Sequence, residues 1–390
     1  MEITNTRRIQ FSGFVSAFDR FSMPPMLLSI SRDLHVPLAQ VVGSASLYFL
    51  IYGLMQPVWG MVSNRIGLAT IIKWCTFLGS IATVSAAFAN NILTLTILRS
   101  VSGIFFSAII PAGLIYVGTT GDAKSRHRDI TELMSGVAFG TALSTLVAGI
   151  FTALWGWQWG FVGTSLVGIT ASIQIRRLNE LPKVAFRSPF IAPLKRVISN
   201  PSVLRLLLLG ALDGAAILGV FTFIPAAISS RGSSTAVAAA ITTTYGFAVL
   251  VGSSLVGRLS VRISRPQFIL FGGALGAIAS LILAYSHHLL SASFACVLLG
   301  LCWASMHTSF QSWATEVAPN ERSMAVSFFT GSLFAGSAFV SSISGKAAQH
   351  HQFHLIFLRG SLLLLLAAVL GSIQRMHWER EYERAEQAAN

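Results

Sequence analysis

Hydrophobic positions along the chain gather into long runs of about twenty residues, with polar residues confined to the gaps between them. In helix, about 20 residues at about 1.5 Å rise each match the ~30 Å hydrocarbon thickness of a bilayer. One set of runs centres on residues 11–30, 42–62, 69–89, 92–118, 133–155 and 159–175. A second covers 204–229, 235–257, 267–286, 289–313, 324–345 and 354–374. The pattern predicts an all-α polytopic membrane protein, with twelve transmembrane helices in two pseudo-symmetric six-helix bundles. The first run is too long for a cleavable signal, carries Asp19 and Arg20, and lacks a small-residue cleavage site. The expected organisation is an N-terminal bundle at 1–175, a basic linker at 176–202, a C-terminal bundle at 203–374 and a solvated helical tail at 375–390.

Composition agrees with that pattern and charge orients it. Of the 390 residues, 53% are hydrophobic and 11% charged, against about 25% charged in soluble domains. A soluble enzyme and a disordered chain are both excluded. The net charge of +13 comes from 27 basic and 14 acidic residues. With a cytoplasmic N-terminus, the outer segments hold only Arg32, Arg231 and Lys346, and the other basic residues outside the spans lie inside. Positive residues collect on the cytoplasmic side, so both termini are expected there, in a multi-pass cell membrane protein of the bacterial inner membrane. Topology accounts for the charge, and no nucleic-acid partner is needed. Trp155, Trp157 and Trp159 bracket the fifth loop as an interfacial aromatic belt would. Cys75, Cys296 and Cys302 lie within apolar runs and offer neither a disulfide framework nor metal-ligand spacing. No cofactor or metal is implied.

The halves repeat. An offset of 197 residues lays Gly60, Ser63 and Arg65 on Gly257, Ser260 and Arg262, and Gly103 on Gly300. Parallel six-helix repeats are one transporter plan. The loop after the second span holds Gly60, Asn64, Arg65 and Gly67, and the fourth span begins Arg99-Ser-Val-Ser-Gly103. Both elements resemble signatures of the major facilitator superfamily, with Asn64 where aspartate is usual and Leu68 where a basic residue is usual. Asp19-Arg-Phe-Ser-Met-Pro-Pro25 is similar to the twelve-span drug–proton antiporters of that superfamily. Of their fifth-span pattern, Gly136 and Gly140 keep the glycine spacing, but Thr141 replaces the proline.

Charge within the membrane is expensive and marks functional candidates. Asp19 and Asp213 each lie about ten residues into a span, near the midplane at about 1.5 Å per residue. A carboxylate there suits proton coupling, because burial disfavours its charged form and an approaching cation restores it. The alternative is a structural carboxylate paired permanently to arginine or capped by hydroxyls. The resemblance implies that Arg99 tunes the helix-one acid during proton transfer, against a purely structural salt bridge. Arg20 points about 100° away from Asp19, and its partner is not legible, while Arg359 is expected to snorkel outward. His307 and Gln311, four residues apart, share one face, as do Tyr48, Tyr52 and Gln56. These are the substrate-binding candidates, with interhelical packing as the alternative for each. Gly60, Asn64, Arg65 and Gly67 lie far from the midplane, which suits gating.

The sequence therefore points to a secondary transporter that works by alternating access, acting as a monomer on a small-molecule substrate with protons. Export of a small amphipathic organic compound leads. The alternative is proton-coupled uptake or facilitated transport of a polar metabolite, organic anion or siderophore-like compound. No enzyme is expected, since neither an H-E-x-x-H nor a G-x-S-x-G signature is present.

Overall fold

The computed structural model describes residues 3–119, 123–181 and 191–389. Proline breaks the first span into α1 (Ile3–Arg20), a 3-10 turn (Pro24–Met26) and α2 (Leu27–Asp33), because Pro24 and Pro25 cannot donate to the helical ladder. There follow α3 (Leu38–Ile66), α4 (Leu68–Ala86), α5 (Ile92–Phe106) with α6 (Ile109–Thr119) as the fourth span, α7 (Ala123–Trp155) and α8 (Trp157–Ile175). The linker carries a short helix, α9 (Ile191–Ile198). The second half comprises α10 (Pro201–Ser230), α11 (Thr235–Leu259), α12 (Arg265–Tyr285), α13 (Leu289–Cys302), α14 (Thr308–Glu316), α15 (Arg322–Gln349) and α16 (Phe353–Ala389). A π turn at Trp303–His307 joins α13 to α14 within the tenth span.

Local chemistry sets the helix ends. The side chain of Asn91 accepts from the Thr94 amide at 2.9 Å, and that of Asn200 from the Ser202 amide at 2.9 Å. Pro201 occupies the first turn of α10, where its missing N–H costs nothing. Among the described residues, ten spans are long and apolar enough to cross a membrane by themselves. α1 and α8 complete the twelve: α1 is diluted by Arg7, Arg8, Asp19 and Arg20, and α8 by glycine, serine, threonine and glutamine.

Small residues bring the helices together, as they must where lipid supplies no hydrophobic drive between spans. α1 lies against α7, where a methyl at Gly136 or Gly140 would strike the carbonyls of Gln10 and Phe14. In the other half, α10 and α15 approach equally closely at Gly214 and Gly336, facing the carbonyls of Leu333 and Ala211. The halves meet along α3 with α15 and α7 with α11. At the latter contact Gly246 sits against Ala142, and Thr145 Oγ1 lies 3.2 Å from Thr243 Oγ1. Large exposed side chains such as Phe88, Leu208 and Leu290 cover the outside, as a lipid-facing perimeter requires.

Two expectations need correction. Trp157 is not part of an aromatic belt: it is 1% exposed and packs on Phe161 at 5.9 Å, whereas Trp155 and Trp159 are 58% and 51% exposed. Gly156, at φ 100°, turns the chain so that the middle tryptophan enters the bundle. The tail is a continuation of α16 rather than a wholly solvated extension. Arg375 is buried between Trp313 and Trp378, its Nε bonds Glu379 at 2.7 Å, and its Nη1 lies 2.8 Å from Glu316 Oε2. The linker contains α9. Within it, Lys183 and Arg187 lie outside the described residues, as do the loop residues Thr120, Gly121 and Asp122.

Candidate functional site

Asp19 ends α1 within a closed shell of donors. Oδ1 accepts from Thr83 Oγ1 at 2.6 Å and from Arg99 Nη1 at 2.8 Å. Oδ2 accepts from Tyr48 Oη at 2.8 Å and Ser102 Oγ at 3.1 Å. Arg99 Nη2 also reaches the Asp19 carbonyl at 3.2 Å. The guanidinium lies 4.4 Å from the Tyr48 ring centre and 5.0 Å from that of Phe161. Asp19 and Arg99 are both 0% exposed. Four helices of the first half thus converge on one ion pair whose carboxylate is saturated, and such completeness is what makes a buried pair tolerable.

The second half treats its acid differently. Asp213, on α10 and also 0% exposed, receives one bond: His307 Nδ1 stands 2.6 Å from Oδ2. Oδ1 is buried with no hydrogen-bond partner among the described residues. The internal repeat explains the difference. The 197-residue offset places Tyr245 at the equivalent of Tyr48, Ser280 at that of Thr83, Cys296 at that of Arg99 and Leu299 at that of Ser102. A cation and a hydroxyl of the first half are therefore a thiol and an isobutyl group in the second. His307 comes from the π turn and stacks on Trp303 at 3.7 Å, with Phe329 on its other side at 5.9 Å. At 2.6 Å the imidazole and the carboxylate are within hydrogen-bond distance of each other.

Arg20 faces away from Asp19, toward the second half. Its guanidinium carbon lies 4.8 Å from the Phe21 ring centre, 5.3 Å from Tyr52 and 5.2 Å from Phe334 of α15. Nη1 reaches Tyr52 Oη at 3.4 Å, and Nε is buried without a partner among the described residues. Tyr52 is itself bound by Ser16 Oγ at 2.9 Å.

Of the other substrate-binding candidates, Tyr48 and Tyr52 are buried within these networks, Gln56 is buried on the same helix, and Gln311 is half-buried one turn beyond His307. Thr244 bonds carbonyls of Ile241 and Ser293, which is packing chemistry. Arg359 is exposed.

The Gly60–Gly67 segment proposed for gating is not a loop but the last turns of α3 with its C-cap, and it is met there by a residue the sequence does not announce. Gly67 adopts φ 128°, and a side chain there would run into the Glu180 carboxylate. Glu180, just past α8, accepts from the Ala69 amide at 3.1 Å, the Thr70 amide at 2.9 Å and the Thr70 hydroxyl at 2.8 Å. It thereby caps α4, where partial positive charge favours an anion. Desolvation disfavours the Glu180 charge, but the Thr70 and Ala69 donors outweigh it and hold the carboxyl below the ordinary glutamate value. The same face carries Arg8 Nη1 on the Arg177 carbonyl at 2.9 Å and Tyr116 Oη on the Asn179 carbonyl at 2.9 Å. Arg65 is exposed, a methyl at Gly60 would meet open space, and the Asn64 side chain lies outside the described residues. Glu180 carried no sequence signal, being one acid beside a basic linker, matched to a helix start more than a hundred positions away.

Two six-helix halves, joined by a linker and carrying charge at membrane depth on either side of their interface, define a polytopic membrane transporter rather than an enzyme. The model of the Major Facilitator Superfamily matches residues 9–320 and 206–388, and the chain belongs to that family. It is 22% identical over 388 residues to the uncharacterized MFS-type transporter YybF of Bacillus subtilis (strain 168), covering 93% of this chain and 92% of that one. It is 24% identical over 202 residues to Multidrug resistance protein D of Escherichia coli (strain K12), 49% of this chain and 50% of that one. Its fold matches the crystal structure of a bacterial homologue of the human lysosomal transporter Spinster, in an inward-facing and unoccupied conformation. That match has a TM-score of 0.77, 17% identity, and coverage of 96% and 97% of the two chains.

Proposed function

We propose that this transporter couples substrate movement to protons, and that the Asp213–His307 pair takes up and releases the proton. The observation that carries the reading is the unpartnered Asp213 Oδ1 beside a 2.6 Å contact to an imidazole. An imidazole can carry a proton on either ring nitrogen, and Asp213 Oδ1 has acceptor capacity that no described residue uses. Asp19 and Arg99 serve the same cycle as a rigid charged pivot in the first half. Tyr48, Tyr52, Gln56 and Gln311 surround the path, and the end of α3 from Gly60 to Gly67, with Glu180, acts as the gate on the linker face. The substrate is a small amphipathic organic compound, and the likeness to Multidrug resistance protein D over half of each chain supports export. A second reading, uptake of an organic anion together with a proton, is favoured by Arg20, which among the described residues has rings but no carboxylate against it. The protein acts as a monomer in the bacterial inner membrane with both termini cytoplasmic, which the basic linker and loops support.

The test is flux of a panel of amphipathic cations and acids into proteoliposomes under an imposed pH gradient. The wild type moves at least one member faster with the gradient than without it. Asp213→Asn and His307→Gln abolish the gradient-driven component and leave gradient-free exchange. Gradient-driven flux that survives in both variants overturns the proposal.

A further inference from the structure

Two arginines sit at the same depth in the first half, and their surroundings differ in kind. Arg99 has a carboxylate at 2.8 Å and contacts that enclose it fully. Arg20, adjacent to that carboxylate in sequence, gains nothing from it, because both Asp19 oxygens already accept from other donors. Among the described residues no carboxylate lies within ion-pair distance of Arg20. A guanidinium has five N–H donors, and among the described residues the one side-chain hydrogen bond it makes is the 3.4 Å approach to Tyr52 Oη. A cation that is partly desolvated and without a counter-ion is costly. Ring faces offset only part of that cost, typically about 0.5–2 kcal/mol per contact.

The surroundings also show what would fit. The rings against Arg20 come from both halves: Phe21 and Tyr52 from the first, Phe334 from the second. They continue across the interface, since Phe21 meets Phe221 edge-on at 5.5 Å and Phe221 packs on Tyr245 at 4.6 Å. On the other side, Phe49 stacks on Phe334 at 5.9 Å with the planes 6° apart. A planar, charged fork beside flat apolar walls is matched by a planar anion joined to a flat apolar body. Guanidinium and carboxylate can pair through two parallel bonds, while the body lies against the rings.

Resting on the reading of the chain as a proton-coupled transporter of amphipathic compounds, we propose that Arg20 is the recognition point for the carboxylate of an aromatic organic acid, with Phe21, Tyr52 and Phe334 receiving its ring. The substrate is then an amphipathic anion rather than a lipophilic cation. Because the cage takes walls from both halves, the bound acid is held by both and released as they part.

Equilibrium binding to the purified protein, with no gradient present, tests this. The probes are 2-naphthoate and its neutral isostere 2-naphthamide, titrated into wild type, Arg20→Lys and Arg20→Gln. A hydrogen bond to a charged group contributes about 1.5–3 kcal/mol, so the wild type prefers the acid over the amide by about tenfold or more. Arg20→Gln loses the preference. Arg20→Lys, which keeps the charge but not the fork, retains part of it and controls for misfolding, along with the unliganded melting temperature. The inference fails if the wild type binds the amide as tightly as the acid, if it does not bind the acid, or if Arg20→Gln keeps the preference. None of these outcomes touches the proton-coupling reading, which is decided by the flux of the Asp213 and His307 variants.

Discussion

Replacing Asp19 by asparagine keeps the side chain's size and removes the charge that Arg99 faces. The guanidinium is 0% exposed and cannot turn to water. Four donors converge on the two Asp19 oxygens, and the amide that replaces one of them presents N–H groups to donors. Removing one member of a buried pair costs about 3–5 kcal/mol. The same substitution at Asp213 leaves a carbonyl for His307 Nδ1–H and replaces an oxygen that had no partner. Its expected cost is that of weakening one bond, about 1 kcal/mol. Thermal unfolding of the purified protein should therefore show Asp19→Asn with a drop in melting temperature several times that of Asp213→Asn. Adding Arg99→Gln to Asp19→Asn should recover more than half of the loss, because the uncompensated charge goes with it. Equal drops in the two single variants, or a double variant no more stable than Asp19→Asn, would refute the assignment of a structural pair to one half and a titrating pair to the other.

Gly246→Ala sets a methyl 2.5 Å from Ala142 Cβ at the contact between α7 and α11. The expected cost is about 1–3 kcal/mol of overpacking, together with slower transport, measured as melting temperature and flux. The control is Gly257→Ala, where nothing lies within 4 Å and helix propensity makes the change neutral or stabilising. For Glu180, the folded carboxyl is held below its ordinary value of 4.5. Its contribution to docking the segment after α8 is present above that ordinary value and lost as pH falls through the lowered folded one. Because the group is largely exposed, Glu180→Gln should cost under about 1 kcal/mol but raise proteolysis of the linker at neutral pH; the wild type should show the same rise only in acid, read by limited cleavage with an acid-active protease.

Much of the architecture was legible from the chain alone because membrane insertion is a one-dimensional constraint. Run length against bilayer thickness picks out the spans, even where α1 and α8 fall short by hydropathy. The depth of Asp19, Arg99 and Asp213 follows from counting residues at a fixed rise. Rotation about each helix axis is another matter. In a span that is apolar on nearly every face, periodicity does not say which side meets protein and which meets lipid, so Arg20 had no legible partner and only the family resemblance set Arg99 beside Asp19. Trp157 and Arg375 were misplaced for the same reason: a residue near a span end looks interfacial until a neighbouring helix covers it.

By itself, the sequence determined that this is a twelve-span transporter of repeated halves, with a few charges stranded at membrane depth and the rest on the polar fringe. Tertiary structure alone decided how those stranded charges are spent: Asp19 saturated by Arg99 and three hydroxyls, Asp213 left with one imidazole and an open oxygen, and Arg20 set against rings of both halves. Hydropathy encodes position along the membrane normal. Pairing depends on distances between helices far apart in sequence, and those exist only once the bundle has packed.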